Sequence, residues 1–160
     1  MISLKKRNQG FTIVELLIVI VVIGILAALV ITTYAGIQSK ARNGKRSTDV
    51  QSLQTQIEAF YSQNGYYPSN TDLNSASWRA TNMKSLDTVA MVDPSSTCNP
   101  ATSTTCVPVA AAAKTYAYAP TDASGASCET TDTNCALYTL TATYEGSVNG
   151  ATTYVKKNLD

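Results

Sequence analysis

A long apolar run near the start of the chain constrains its fold more than any other feature. Residues 11–31 read FTIVELLIVIVVIGILAALVI, and Thr12 and Glu15 are the strongly polar residues among them. As a helix, this run would rise about 1.5 Å per residue and cover roughly 30 Å, the thickness of a bilayer core. A secretory signal has an apolar run of only about 7–15 residues. The sequence therefore predicts a membrane-spanning helix.

Basic residues flank this run on both sides and predict its orientation. The two clusters are Lys5, Lys6 and Arg7 before the run, and Lys40, Arg42, Lys45 and Arg46 after it. Cations of this kind stay on the cytoplasmic side, so the first cluster places the N-terminus inside and the rest of the chain outside. A nucleic-acid binder more often spreads basic residues over one folded face. We therefore interpret the clusters as topology and solvation, with DNA contact as the less favoured alternative.

The acidic side chain of Glu15 stands within the apolar run. A charge at the bilayer centre costs roughly 2.5–3.5 kcal/mol on insertion scales and usually marks function. Glu15 lies near the start of the run, so snorkelling could lower that cost without any function. An ordinary membrane anchor leaves this residue unexplained.

The order of residues across the boundary, KKRNQG followed by FTIVE, resembles the type IV pilin family, including its pseudopilin branch. In that family a prepilin peptidase cleaves after the last leader glycine, the next residue is N-methylated, and a glutamate follows four residues later. The resemblance implies cleavage between Gly10 and Phe11, methylation of Phe11, and a role for Glu15 in assembly. Gly24 matches a common family glycine, whereas Thr32 stands where many members have proline.

This resemblance suggests a physical role for Glu15. Cleavage would leave a positive amino group on Phe11, and Glu15 would supply the opposite charge, within one helix or between staggered neighbours. Removing one partner of a buried charge pair is strongly destabilising, so such a pair would set the axial register of a filament. We expect a Glu15→Ala subunit to insert normally and assemble poorly.

The segment after the apolar run has the pattern of an amphipathic helix. Apolar side chains recur at three- and four-residue intervals on one predicted face: Val50, Leu53, Ile57, Phe60 and Tyr61. Asn64 and Gly65 predict its C-terminal end, and Tyr66-Tyr67-Pro68 would not readily continue it. We therefore expect a nearly continuous helix over residues 11–64.

Side chains of different character alternate along three later segments, 115–119, 137–145 and 151–157, which predicts β-strands. The segment EGSVNG at 145–150 is the predicted hairpin loop between the last two. In the second strand one face would carry Tyr138, Leu140, Ala142 and Tyr144. One short helix is expected around residues 76–86. The predicted fold class is α+β, a long N-terminal α-helix packed on a small antiparallel β-sheet. Its predicted parts are a leader (1–10), a transmembrane or filament-core helix (11–33), an amphipathic helix (34–65) and an extracellular domain (66–160).

Four cysteines follow the predicted export signal, so a disulfide framework is expected. They are Cys98, Cys106, Cys128 and Cys135. Four cysteines allow three pairings, and we favour those between sequence neighbours, Cys98–Cys106 and Cys128–Cys135. A zinc site is disfavoured because the spacing lacks a C-x2-C pair and the chain has no histidine. The family resemblance also implies disulfides, since many pilins close a C-terminal loop in this way.

The composition argues against catalysis. Without histidine the chain lacks the commonest general base and cannot form a Ser/His/Asp or Cys/His arrangement. It has no phosphate-binding glycine loop. We expect neither enzyme activity nor a cofactor. Asp122, Glu129 and Asp132 could bind calcium, as a C-terminal loop of major pseudopilins does, but a solvated acidic loop is the favoured interpretation.

The resemblance implies a structural subunit of a type IV pilus, which polymerises into extracellular filaments for adhesion, twitching motility or DNA uptake. Its partners would be other copies through the N-terminal helix, the prepilin peptidase, the inner-membrane assembly machinery, and a surface or DNA ligand. Before assembly it would be a single-pass cytoplasmic membrane protein with its N-terminus inside. One alternative is a pseudopilin of a type II secretion or competence pseudopilus. Another is an anchored binding domain that never polymerises, which the Gly10-Phe11 junction and Glu15 disfavour.

Overall fold

The computed structural model describes residues 10–130 and 134–159, apart from the side chain of residue 32. Nine residues of the predicted leader, 1–9, lie outside this described part. The chain divides between residues 38 and 39 into two compact units, and helix α1 (Ile13–Asn64) contributes to both. The described elements that follow are α2 (Asn70–Asn74), α3 (Ala76–Asn82), a 3-10 turn (Thr88–Met91), β1 (Tyr116–Thr121), β2 (Leu137–Val148) and β3 (Ala151–Lys157).

The first part of α1 is an apolar helix with exposed side chains. Every large apolar side chain from Phe11 to Ile31 is between 48% and 87% exposed. An exposed apolar surface of this extent marks a site of contact with lipid or with other protein. By length and composition, this helix could cross a membrane.

The second part of α1 buries the predicted apolar face. Val50, Leu53, Ile57 and Phe60 belong to the core of the second unit. Tyr61 departs from the prediction, because it is 38% exposed and its ring stacks on that of Tyr67, outside this core face. The amphipathic pattern is otherwise confirmed.

Helix α1 ends where the sequence predicts, at Asn64. Gly65 follows with a φ of 78°, and its N–H donates to the carbonyl of Tyr61 at 2.7 Å. Glycine accepts this left-handed conformation without strain, which explains why the helix stops here.

The strands form one antiparallel sheet in the order β1-β2-β3. Tyr118 pairs with Leu140, and Ala142 pairs with Tyr154. Along β2, Tyr138, Leu140 and Ala142 are buried, as the alternation predicts. Their neighbours in the core include the apolar residues of α1. The predicted α+β architecture, a long helix packed on a small antiparallel sheet, is confirmed.

The hairpin between β2 and β3 differs from the predicted loop over residues 145–150. Strand β2 continues to Val148, and the turn is the dipeptide Asn149-Gly150, with φ angles of 51° and 82°. Two positive φ angles in succession suit the tight two-residue turns that Asn-Gly favours. The pairing register shifts between Thr143 and Val148, so a bulge replaces the predicted loop.

Helix α3 lies where one short helix was predicted, around residues 76–86, and the short helix α2 precedes that region. Serine side chains cap both: Oγ of Ser69 accepts from the N–H of Asp72 at 3.1 Å, and Oγ of Ser75 accepts from that of Trp78 at 3.3 Å. The ring of Trp78 packs against Phe60 with centroids 5.1 Å apart, which anchors α3 to helix α1.

Candidate assembly site

A reciprocal set of hydrogen bonds begins helix α1. Oγ1 of Thr12 accepts from the N–H of Glu15 at 3.3 Å. In return, Oε2 of Glu15 accepts from both the N–H and the hydroxyl of Thr12, each at 2.8 Å. This arrangement is a capping box, which satisfies backbone donors that the first helical turn leaves without acceptors.

The capping box gives Glu15 a role that the sequence analysis missed. The sequence contained the signal, because Thr-x-x-Glu directly before an apolar run is the signature of this motif. A carboxylate in the first turn also lies favourably in the field of the helix dipole. Glu15 therefore has a local structural function besides any function in assembly, and the two have to be separated experimentally.

Gly10 and Phe11 precede the helix. Both are exposed and neither belongs to a helix or strand, and the side chain of Phe11 is 87% exposed. Exposed, non-helical backbone of this kind is where proteases act. The three residues that the sequence singled out, Gly10, Phe11 and Glu15, thus lie together at one end of α1.

A second polar cluster lies on α1 within the other unit and centres on Arg46, whose side chain is 1% exposed. Nε of Arg46 donates to Oδ2 of Asp93 at 2.6 Å, and Nη2 donates to Oδ1 at 3.0 Å. Nη2 also donates to Oε1 of Glu145 at 2.8 Å. Two-point pairing of a guanidinium with a carboxylate is the strongest form of this contact.

Arg42 and Asn43 extend the cluster to the bulge of β2. Nε of Arg42 donates to Oε1 of Glu145 at 2.7 Å, and its Nη2 donates to the other carboxylate oxygen. These bonds, followed by that from Arg46, hold the pKa of the Glu145 carboxyl far below its usual range. The amide of Asn43 donates to the carbonyl of Glu145 at 3.1 Å and accepts from its N–H at 2.9 Å.

This cluster corrects the interpretation of the second basic group. Topology and solvation do not account for Arg46, which is buried between two carboxylates, or for Arg42, which pairs with Glu145. The partners stand 47 and 99 residues further along the chain from Arg46. No local pattern in the sequence could have revealed them.

Residues 5–31 match the family model described as the prokaryotic N-terminal methylation motif. The type II secretion system core protein G of Dickeya chrysanthemi is 35% identical over 65 residues, which are 41% of this chain and 42% of that protein. The type IV major pilin protein PilA of Myxococcus xanthus (strain DK1622) is 38% identical over 63 residues, 39% of this chain and 29% of that protein.

The N-terminal part of the chain is therefore similar to that of a type IV pilin and of type II secretion core proteins. A further relative, the core protein G of Aeromonas hydrophila, is 38% identical over 64 residues, 40% of this chain and 45% of that protein. The chain thus spans less than half the length of these curated relatives. No solved structure matches it.

Among the four cysteines, Cys98 and Cys106 form a disulfide with their Cα atoms 5.6 Å apart, as predicted. Cys128 and Cys135 are both buried, and the structure has no sulfur–sulfur bond between them. Both pack in the apolar core, where a thiol behaves as a small apolar side chain. The proposed bond between these two stays a prediction.

In the acidic loop, Asp122 accepts several local hydrogen bonds. Its Oδ1 accepts from the hydroxyl of Ser124 at 2.6 Å and from the N–H groups of Ser124 and Ala126 at 2.8 and 2.9 Å. These hydrogen bonds lower the pKa of Asp122, and the one from the Ser124 hydroxyl has the largest effect. Oε1 of Glu129 accepts from Ser127 at 3.1 Å, and Asp132 lies outside the described residues. Residues 10–130 and 134–159 contain no group of three or more metal-ligating side chains.

Proposed function

We propose that the chain is a structural subunit that polymerises through its N-terminal helix into an extracellular filament. One observation carries the proposal: the large apolar side chains from Ile13 to Ile31 are exposed on all sides of an α-helix. A helix that is apolar all round needs a lipid or a protein environment. The cytoplasmic membrane supplies it before assembly, when the chain spans the membrane once with its N-terminus inside, and neighbouring helices supply it in the filament.

Processing would precede assembly. The prepilin peptidase would cleave between Gly10 and Phe11, and the new amino group on Phe11 would be methylated. The match of residues 5–31 to a methylation motif supports this step, and so does the exposed, non-helical backbone at the junction.

Glu15 would then guide assembly. Both bonds that its side chain accepts from Thr12 go to Oε2. An ionised carboxylate offers about four acceptor positions, so capping the helix leaves capacity for a second partner. That partner would be the Phe11 amino group of a neighbouring subunit, delivered by the inner-membrane assembly machinery in the correct axial register.

We favour a type IV pilus as the filament, with adhesion to a surface, twitching motility or DNA uptake as its task. The Ser- and Thr-rich domain with a disulfide-closed loop at Cys98–Cys106 suits a surface exposed outside the cell. A pseudopilin is the second candidate, because the relatives in Dickeya chrysanthemi and Aeromonas hydrophila are secretion system proteins.

Two measurements test these proposals. Mass spectrometry of the mature chain should find methylated Phe11 as its first residue, and a mature chain that begins upstream of Phe11 would refute the assembly model. Electron microscopy of a deletion strain then separates the candidates. Loss of long surface filaments supports the pilus, whereas intact filaments with a secretion defect support the pseudopilus.

A further inference from the structure

An open groove on the second unit has a composition that suits a ligand. It lies between α3, the 3-10 turn and the loop closed by Cys98–Cys106, and its volume is about 580 Å³. Cavities of roughly 300–1,000 Å³ are typical of small-molecule sites. Apolar groups from Ala80, Met83 and Val89 line it, together with the cations Arg79 and Lys84, and none of the described acidic residues contributes to its wall.

Arg79 in the wall of this groove is a buried cation that pairs with no carboxylate of the described residues. It is 4% exposed, and the ion pairs among the described residues involve Arg42, Lys45 and Arg46. Nη1 of Arg79 donates to the carbonyl of Leu73 at 2.6 Å and Nη2 donates to that of Pro100, whereas its buried Nε meets no acceptor in this part of the chain. Burial accordingly lowers the pKa of its guanidinium.

Arg46 is a second buried arginine in this unit and provides a comparison for Arg79. Arg46 is as deeply buried as Arg79, and two carboxylates, Asp93 and Glu145, compensate its charge. Leaving a buried charge without a counter-charge is costly. The two carbonyls explain how Arg79 is held in place, but a neutral donor could make such bonds. They do not explain why the position carries a charge beside a groove.

We propose that this groove binds a small organic carboxylate with an apolar body. The carboxylate would lie over the Arg79 guanidinium, where little water screens the charge, and the Lys84 ammonium would attract it at the exposed side. The apolar body would contact Met83 and Val89. This binding is independent of filament assembly, since it uses only residues of the second unit.

The test uses the full chain in a non-ionic detergent, with para-fluorobenzoate as the probe and fluorine NMR as the readout. Detergent without protein gives the blank for partition into micelles. The matched probe is para-fluorobenzyl alcohol, which has the same apolar body and no charge. We expect saturable binding of the carboxylate, and binding of the alcohol about tenfold weaker, because it lacks the charge-assisted contact.

Variants locate the binding site without altering the carbonyl contacts of Arg79. Val89 is 59% exposed in the groove, and Val89→Asp would place a competing carboxylate there. We expect it to weaken binding about tenfold, and Lys84→Gln about threefold. Lys114→Gln, outside the groove lining, is the matched control and should bind as the unaltered chain does. Thermal unfolding of each variant verifies that it is folded.

Three results would overturn the proposal. They are the absence of saturable binding, equal affinity for the carboxylate and the alcohol, and unchanged carboxylate binding by folded Val89→Asp.

Discussion

Arg46 of helix α1 and Asp93, in the segment after the 3-10 turn, form a two-point ion pair inside the fold. The Nε–Oδ2 distance is 2.6 Å and the Nη2–Oδ1 distance is 3.0 Å. Their side chains are 1% and 0% exposed. The pair therefore joins the long helix to a distant loop in a place where water cannot replace either partner.

Loss of one partner should destabilise the fold strongly. We expect Arg46→Met to lower the free energy of unfolding by about 3–5 kcal/mol, because the Asp93 charge stays buried without compensation. Urea unfolding of the detergent-solubilised chain, followed by Trp78 fluorescence, measures this change.

A nearby lysine offers a matched control for Arg46. Lys45 pairs with Asp49 at 2.9 Å, but its own side chain is 43% exposed. We expect Lys45→Met to cost less than Arg46→Met, because Lys45 is partly exposed and Asp49 keeps the hydrogen bond that it accepts from the Tyr116 hydroxyl at 2.8 Å. Adding Asp93→Leu to Arg46→Met should recover part of the loss. Equal unfolding midpoints for the two single variants would contradict a special role for Arg46.

Acid should weaken the same cluster through Glu145. Hydrogen bonds from Arg42, and then from Arg46, hold the pKa of the Glu145 carboxyl below its ordinary value of 4.5. A carboxyl with a depressed pKa in the folded state stabilises the fold above its ordinary pKa, and that contribution is lost as the pH falls. The melting temperature should therefore fall as the pH drops from about 7 to about 3.

Glu145→Gln isolates this contribution to the acid response. The variant should melt at a lower temperature at neutral pH and should lose less stability on acidification. If its melting temperature falls with pH as steeply as that of the unaltered chain, the acid sensitivity lies elsewhere.

Three substitutions separate the two roles of Glu15. Glu15→Gln keeps a side chain that suits the capping box but removes the charge. Glu15→Ala removes both the capping side chain and the charge, and Thr12→Ala removes the cap while it keeps the charge. If the charge guides assembly, both Glu15 variants should reach wild-type levels in the membrane and yield few filaments, whereas Thr12→Ala should assemble.

Immunoblots of sheared filaments and of membrane fractions give both quantities for each Glu15 and Thr12 variant. Wild-type filament yield from Glu15→Gln would mean that helix capping, not charge, is what assembly requires.

The disulfide of the second unit should contribute measurably to its stability. Cys98 and Cys106 are separated by 8 positions, and closing a loop of this size stabilises a fold by about 2.5 kcal/mol on the chain-entropy model. Cys98→Ser with Cys106→Ser should lower the free energy of unfolding by about this amount. Peptide mass mapping without reduction identifies the bonded pairs, and a bond from Cys98 to Cys128 or Cys135 would contradict this assignment.

The elements that the sequence predicted well are those specified by local patterns. The helix was expected over residues 11–64 and spans Ile13–Asn64, because its apolar run, its amphipathic face and Gly65 are all readable within a few residues. The third strand was predicted at 151–157, where it lies. The capping box of Thr12 and Glu15 was also readable from the sequence, but Glu15 was interpreted through charge pairing alone.

The features that the sequence did not predict depend on contacts between distant segments. Arg46 meets Asp93 and Glu145 only after the helix, the loop and the sheet have packed. The bulge in β2 escaped prediction because Glu145 and Gly146 look like loop residues, while Asn149-Gly150 supplies the actual turn. The groove beside Arg79 likewise exists only when α3 and the disulfide loop come together.

At the bulge, the Asn43 side chain forms the main-chain hydrogen bonds that a neighbouring strand would otherwise form. Its amide nitrogen donates a hydrogen bond to the carbonyl of Glu145, and its amide oxygen accepts one from the N–H of Glu145, as a paired residue in a ladder would. Deuterium can replace the Glu145 amide proton only when this contact opens. The exchange rate of this one amide proton will therefore report how often helix α1 and the β2–β3 hairpin separate at this contact.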